Sequence, residues 1–388
     1  MVHSHAARLA GLGTTIFAEM SALAVETGSV NLGQGFPDTD GPAEVADAAV
    51  AAIRAGLNQY PPGPGVPELR TAISAHQKRF YGVDVDPGTE VVVTTGATEG
   101  VAAALLALVD QGDEVVALEP FYDSYSAGIA FAGGVRVPVL LRAPGFRLDV
   151  ERLRAAVTPR TKLILLNSPH NPTGTVLSEA ELAEVARLAV ERDLVVVTDE
   201  VYEHMTYDGV PHRPLATFEG MAERTLTVSS AAKTFSFTGW KVGWVTGPAP
   251  LVRSVLMAKQ FLTFTSGAPF QPAVAVGLGL PDSYFTGLRE SLQRKRDRLV
   301  AGLQSTGMEV FVPQGTYFVS ADVRPLGYAD GVEFCRDLPH KAGVVAIPHQ
   351  VFYDDVAAGK PLVRFAFCKQ DQVLDEAVAR LTAAFRGE

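Results

Sequence analysis

Cysteine is nearly absent from this sequence: only Cys335 and Cys368 occur among its 388 residues. The two form no CxxC motif and no His-Cys metal spacing, which excludes a disulfide framework and a zinc site built on thiolates. Such sparse use of cysteine is typical of a reducing compartment, so we expect a cytoplasmic protein. His3 and His5 stand in a terminus expected to fray, and they predict no metal site.

Positive charge and long apolar runs are also scarce. Lys and Arg number 33 against 43 Asp and Glu, a formal net charge of -10, whereas nucleic-acid binding needs clustered cations. We therefore expect a small-molecule partner and no nucleic acid. The longest apolar run, residues 101–109, is about half the ~20 residues that a membrane span needs. The N-terminus lacks the pattern of a secretory signal, so we expect no membrane association and no export.

What the sequence has is a regular alternation of apolar runs and amphipathic stretches. Apolar residues make up 47% of the chain, enough for a large core. Seven short, β-branched runs predict strands, at residues 90–95, 114–118, 135–140, 162–167, 194–199, 225–230 and 242–247. Ser178 and Glu181 form a capping-box pattern at the start of one intervening helix. Together these features predict a mainly parallel sheet covered on both faces.

The character of the chain changes after about residue 280, where a long charged helix, short strands and a terminal helix are predicted. We expect a large domain over residues 41–280 and a small α+β domain over 281–388, which residues 1–40 join. The stretch at 58–70 is rich in Pro and Gly and predicts an ordered loop.

Residues with reactive side chains follow several predicted strands, at the edge where parallel sheets place their ligands. Lys233 comes just after the strand that ends near Ser230, and Lys241 lies eight residues further on. A lysine beside hydroxyls and a second cation suits a Schiff-base amine with a depressed pKa. An ordinary surface lysine is the alternative.

Asp199 and Asn171 each follow a different predicted strand. Asp199 ends the run "VVVTD", three residues before Tyr202, and a carboxylate at that depth needs a positive partner or serves as a helix N-cap. Asn171 precedes a proline in "NSPHNPTG", which predicts a turn with the amide facing the strand ends. His170 beside it is expected to pack or hydrogen-bond rather than to catalyse.

Two further segments predict binding of anions. In "TTGATEG" the backbone amides of Ala97 and Thr98 would open a helix and point at an anion. This pattern alone is weak evidence for a phosphate site, because it lacks a GxGxxG motif and a Walker lysine. Together with Ser230 and Lys241 it predicts such a site. Arg364 stands in a strand of the small domain, where a guanidinium is expected to meet a carboxylate.

Taken in order, these segments resemble the class I/II aminotransferases of pyridoxal-5′-phosphate (PLP) fold type I, from about residue 17 to residue 369. The chain is most similar to the kynurenine, glutamine and methionine aminotransferase branch, and especially to actinobacterial N-succinyldiaminopimelate aminotransferases. The resemblance implies an α/β three-layer sandwich with a mainly parallel seven-stranded sheet. It implies PLP binding by Ala97, Thr98, Tyr122, Asn171, Asp199, Tyr202, Ser230, Lys233, Lys241 and Tyr60, substrate binding by Phe17, Gly35, Asn171 and Arg364, and no metal.

The resemblance also implies roles. Lys233 would carry PLP as a Schiff base and move the proton, and Asp199 would keep the pyridine nitrogen protonated. Tyr202 and Asn171 would contact the ring's 3′ oxygen, and Tyr122 would stack on the ring, whereas the neighbouring Phe121 is expected in the core. Lys241 stands where the aspartate enzymes have an arginine. Tyr60 would reach the neighbouring subunit's phosphate, which implies a homodimer with shared active sites.

The implied reaction moves an amino group from an amino-acid donor to a 2-oxo acid, with N-succinyl-LL-diaminopimelate and 2-oxoglutarate as the expected pair. A kynurenine, glutamine or methionine specificity is the alternative. A cysteine-S-conjugate β-lyase or a cyclopropane-forming synthase would keep the same cofactor residues. A PLP-fold transcription regulator is not expected, because the chain has no room for a basic helix-turn-helix. No motif identifies the residue that reads a distal succinyl group.

Overall fold

The computed structural model describes residues 6, 8 and 16–386; His3 and His5 lie outside them. The helices are α1 (Ile16–Thr27), α2 (Ala43–Arg54), α3 (Pro67–Tyr81), α4 (Gly96–Leu108), α5 (Asp123–Phe131), α6 (Val150–Ala156), α7 (Glu179–Glu191), α8 (Ala231–Thr234), α9 (Ala249–Lys259), α10 (Phe270–Leu278), α11 (Asp282–Ser305), α12 (Gly331–Ala342), α13 (Val356–Gly359) and α14 (Asp371–Arg386). The strands are β1 (Val30–Asn31), β2 (Val91–Thr95), β3 (Glu114–Glu119), β4 (Val135–Leu140), β5 (Thr161–Asn167), β6 (Val195–Asp199), β7 (Thr225–Ser230), β8 (Val242–Thr246), β9 (Glu309–Phe311), β10 (Phe318–Asp322), β11 (Val344–Val345), β12 (Ile347–Pro348) and β13 (Leu362–Ala366).

The centre of the molecule is a seven-stranded sheet in the order β2-β8-β7-β6-β5-β3-β4. Its strands are the seven that the sequence predicts, and the predicted α/β class with a mainly parallel sheet is confirmed. One strand runs against the rest: β8 pairs antiparallel with both β2 and β7. Nothing in the apolar pattern of β8 reveals its direction, because that pattern records burial and not polarity.

Helices cover both faces of this sheet. Successive residues of a strand point to opposite faces, and accordingly Val115 of β3 belongs to the core under α4, α5 and α9, while Val116 belongs to the core under α6 and α7. Helix α7 begins with the predicted capping box, in which the Glu181 amide donates to Ser178 Oγ and the Ser178 amide donates to the Glu181 carboxylate. The parallel register then sets Asn167 beside Asp199 at one edge of the sheet.

A second, antiparallel sheet in the order β12-β13-β10-β9 carries the C-terminal part of the chain. Helices α1, α11, α12 and α14 contribute to the core around it. The N-terminal segment enters this region, since β1 pairs in parallel with β11 through Val30 and Val344. The division of the chain at about residues 40 and 280 stays a prediction.

The predicted loop over residues 58–70 is wrong at its end, because α3 begins at Pro67. Proline fits the first position of a helix, where its missing N–H group would have no partner. Among the helices that the structure describes, none combines the length and the apolar character that crossing a membrane requires.

Candidate active site

One cavity of about 350 Å³ lies at the carboxyl edge of the large sheet and reaches β10 and β13 of the antiparallel sheet. Twelve of the thirteen predicted site residues line it: Phe17, Gly35, Ala97, Thr98, Tyr122, Asn171, Asp199, Tyr202, Ser230, Lys233, Lys241 and Arg364. Tyr60 does not. Its side chain is 83% exposed and lies against Phe264, with 5.5 Å between ring centroids.

Lys233 lies in the single turn of α8, directly after β7. Burial lowers the pKa of its amine, although the thiol of Cys368 and the carboxylate of Asp199 act in the opposite direction. The Nζ atom lies 5.9 Å from the centroid of the Tyr202 ring and 5.7 Å from the centroid of the Tyr317 ring. An amine that loses its proton easily can act as a nucleophile and as a base.

Asp199 is buried at the end of β6, and burial raises the pKa of its carboxyl group. Tyr125 Oη donates a hydrogen bond to Asp199 Oδ2 at 2.6 Å, which favours the charged form. The Val201 amide donates to Oδ1 at 3.3 Å, but the segment after β6 is a turn and not a helix. Asp199 is therefore not a helix N-cap, and one of its carboxylate oxygens has a single, weak partner.

The turn that carries Asn171 is held by a second asparagine. Asn167 Oδ1 accepts a hydrogen bond from the Asn171 amide at 2.7 Å, and Asn167 Nδ2 donates to the Asp199 carbonyl at 2.9 Å. His170 is buried, contacts Thr173 Oγ1 through Nδ1 at 2.7 Å, and has its pKa lowered to about 4 by burial. It does not line the cavity, in agreement with a packing and hydrogen-bonding role.

An anion cradle forms where β8 passes the start of α4. Ala97 and Thr98 lie in the first turn of α4, whose amides have no partner within the helix. Lys241 adopts the left-handed conformation with φ 53°, and its Nζ lies 3.2 Å from the point that a Cβ on Gly96 would occupy. A Cβ on Gly243 would lie 2.7 Å from the Ala97 amide nitrogen, so only glycine lets β8 approach this closely.

Arg364 is 2% exposed and contacts no carboxylate in the part of the chain that the structure describes. Its Nη1 donates to Asn171 Oδ1 at 2.8 Å, its Nη2 donates to the Gly33 carbonyl at 3.2 Å, and its Nε has no partner. The guanidinium carbon lies 3.9 Å from the centroid of the Phe318 ring. Burial lowers the pKa of Arg364 to about 10. A buried cation that has no carboxylate partner is suited to bind an anionic ligand.

Gly35 and Phe17 form the wall that the N-terminal segment contributes. Tyr317 Oη donates to the Gly35 carbonyl at 2.6 Å, and a Cβ on Gly35 would overlap the ring of Phe318. Position 35 therefore requires glycine because it packs against Phe318, in addition to its expected role in substrate binding. The Phe17 ring centroid lies 5.4 Å from the guanidinium carbon of Arg364.

Sequence reasoning missed Tyr125, Asn167 and Tyr317. Tyr125 lies in the first turn of α5, three residues after Tyr122, which is the N-cap of that helix, and this short spacing places both side chains at the cavity. Asn167 ends a predicted strand, and that position alone indicates a residue at the carboxyl edge of the large sheet. Tyr317 has no such signal, because its contact with Gly35 spans 282 positions. Phe121 is buried in the core, as expected.

The chain is similar to known proteins over nearly its whole length. The family model of aminotransferase class I and II matches residues 27–381. A probable N-succinyldiaminopimelate aminotransferase of Mycobacterium tuberculosis is 57% identical over 386 residues, 97% of either chain. The methionine aminotransferase of Escherichia coli is 40% identical over 374 residues, 96% of this chain and 97% of the relative. The solved structure of the M. tuberculosis N-succinyldiaminopimelate aminotransferase superimposes with a TM-score of 0.96 and covers 98% of this chain and 100% of that one.

Proposed function

The chain belongs to the PLP-dependent class I and II aminotransferases, and we propose that it moves an amino group between N-succinyl-LL-diaminopimelate and 2-oxoglutarate. The identity of 57% with the M. tuberculosis relative carries this choice of substrate. The reaction belongs to lysine and diaminopimelate biosynthesis. A cytoplasmic location is supported by Cys335 and Cys368, which are both buried and unpaired.

The cavity has the donor set that PLP requires. Asp199 offers a buried carboxylate oxygen for a protonated ring nitrogen, and Lys233 offers a desolvated amine. The first amides of α4, together with Ser230 and Lys241, offer donors and positive charge for a phosphate. The Ser230 hydroxyl makes no capping bond to α8, which supports its use by a ligand. We therefore assign these residues to the cofactor.

PLP, when bound, supplies an electron sink that stabilises negative charge at the substrate Cα. Lys233 Nζ would hold the cofactor until the amino group of the substrate displaces it. The freed amine would then take the proton from the substrate Cα and deliver it, as general acid, to the cofactor carbon that Nζ had occupied. Asp199 would keep the ring nitrogen of the cofactor protonated, and the hydrogen bond from Tyr125 favours the charged form of Asp199. Tyr202 and Asn171 would hold the 3′ oxygen of the ring, and Tyr122 would cover one face of it.

Arg364 binds the α-carboxylate that donor and acceptor share. Its unpaired Nε and its lack of a protein carboxylate among the described residues support this role. Asn171 holds one edge of the guanidinium and the Phe318 ring lies against its face, so the group is oriented before the ligand arrives. Phe17 and Gly35 form the wall nearest the substrate side chain.

A homodimer completes the site in this proposal. Tyr60, Phe261 and Phe264 are 83%, 86% and 48% exposed, an apolar surface that isolated soluble chains rarely carry. Leu262, which is 50% exposed, extends it. We propose that this surface covers the partner's cavity and that Tyr60 donates to the partner's phosphate.

A donor panel tests the function. Glutamate formation from 2-oxoglutarate is measured with N-succinyl-LL-diaminopimelate, methionine, kynurenine and glutamine as donors, and pyruvate release is measured with cysteine conjugates. The proposal expects the succinylated donor to give the highest kcat/KM. A preference for methionine would favour the alternative that the 40% identical relative supports, and pyruvate release without glutamate would indicate a lyase.

The Lys233→Ala variant tests the cofactor assignment separately. Borohydride reduction should attach PLP permanently to the wild-type chain but not to the variant, and the variant should have no transaminase activity. Lys241→Ala is the matched control, because it should weaken PLP binding but leave Lys233 reducible. A Lys233→Ala enzyme that still traps PLP and turns over would refute the assignment.

A further inference from the structure

A cluster of His76, Glu203 and His204 lies outside the cavity and has no part in the reaction described above. His76 comes from α3, and Glu203 and His204 come from the turn that follows β6. The ligand atoms of the three side chains all lie within 4.8 Å of one another. His76 and Glu203 are 2% and 5% exposed.

The carboxylate of this cluster, that of Glu203, has hydrogen-bond donors but forms no ion pair with a lysine or arginine among the described residues. It accepts a hydrogen bond from Ser229 Oγ at 2.6 Å and has the Tyr81 hydroxyl as a second hydrogen-bond donor. A buried carboxylate beside two imidazoles offers three metal ligands within reach of one another, and burying the carboxylate charge is costly without a cation.

We propose that His76, Glu203 and His204 bind a divalent transition-metal ion, with zinc as the best match. Two histidines and one glutamate are an established ligand set for zinc, with the fourth position open to water. The site joins α3 to the turn that carries Tyr202 and stabilises that turn, with no contact to substrate.

The surroundings have the features of a metal site. Phe80 and Phe285 lie next to both imidazoles, with ring centroids between 4.5 and 5.9 Å from them, which keeps the local dielectric low. Ser229 orients the carboxylate as an outer-shell donor. The two Nε2 atoms are 2.8 Å apart. Tetrahedral zinc would hold them about 3.3 Å apart, so the rings need to separate by only about half an ångström.

Titration of the chelator-treated holoenzyme with Zn²⁺, followed by calorimetry, tests the site. We expect one zinc ion per chain. His76→Gln and His204→Gln should each weaken binding by at least about tenfold, the loss that even outer-shell changes produce at zinc sites. His340→Gln, which changes an exposed histidine of α12, should leave the affinity unchanged. Circular dichroism and cofactor absorbance check that each variant is folded.

X-ray absorption at the zinc edge of the wild-type enzyme gives an answer that needs no variant. Two imidazoles and an oxygen shell around the metal would support the site even if a variant fails to fold. A wild-type enzyme that binds no zinc, or zinc with equal affinity in both histidine variants, would overturn the proposal. The two imidazoles would then simply share a proton across their 2.8 Å contact.

Discussion

Individual side chains in the cavity are positioned by groups that are distant in sequence. Arg364 is oriented by Asn171, 193 positions away, and Asp199 receives its shortest hydrogen bond from Tyr125, 74 positions away. Both charged groups are buried, so small changes at their neighbours alter their protonation or orientation.

Arg364→Lys should weaken both half-reactions to a similar extent for all donors. An ammonium cannot reproduce the two parallel bonds of a guanidinium to a carboxylate. Loss of a charge-assisted hydrogen bond costs about 1.5–3 kcal/mol, which corresponds to a fall in kcat/KM of roughly tenfold to a hundredfold. Steady-state kinetics with several donors measure this, with the exposed Arg298→Lys as control. A loss confined to succinylated or acidic donors would show that Arg364 reads the distal group instead.

Tyr125→Phe should shift the acidic limb of the kcat profile to higher pH. The hydroxyl of Tyr125 donates to Asp199 and so favours its charged form. Removing that donor raises the pKa of Asp199 further, and the carboxylate is then protonated at a higher pH. Activity should therefore fall most on the acidic side and recover as the pH rises. A uniform loss at every pH would mean that Tyr125 acts through packing alone.

At the scale of elements, the cofactor site depends on how closely β8 passes the first turn of α4. The antiparallel direction of β8 brings Gly243 beside Thr94 of β2 and Ser230 of β7. This approach leaves no room for a side chain on Gly243. The geometry of the amides around Ala97 is thus set by packing of the strand against the helix.

Gly243→Ala should weaken PLP binding more than it lowers global stability. The added methyl would lie 2.5 Å from the Gly96 carbonyl carbon, so β8 and the first turn of α4 must separate. We expect the PLP dissociation constant, measured by absorbance titration of the apoenzyme, to rise at least about tenfold, the effect of losing one good hydrogen bond to a charged group.

Gly287→Ala is the control for this experiment. Its Cβ would meet nothing within 4 Å, in the second turn of α11, and alanine there favours the helix. Its PLP affinity should equal that of the wild type. Equal affinity in the Gly243→Ala variant would mean that the amides of α4 are not the phosphate site.

At the scale of the whole molecule, the prediction concerns assembly. Phe261→Asp should convert a dimer to a chain of 41.2 kDa in light scattering, because the carboxylate would be buried in an apolar interface. Val25→Asp changes a side chain that is equally exposed, 86% in both cases, and should leave the dimer intact. The Phe261→Asp variant should lose activity as well as its dimeric mass. A wild-type protein that is monomeric and active would contradict the shared-site proposal.

The sequence by itself determined the seven strands of the large sheet and the capped helix α7, because apolar periodicity and caps are local features. It also identified twelve residues that meet in one cavity, through strand-end positions together with the resemblance to the aminotransferase family. Only the tertiary structure decided the reversed direction of β8, the partners of Asp199 and Arg364, and the contact of Tyr317 with Gly35. Each of these depends on chain segments that are far apart in sequence and come together only through packing. The cluster of His76, Glu203 and His204 belongs to the same class, since its histidines are 128 positions apart and no spacing along the chain connects them.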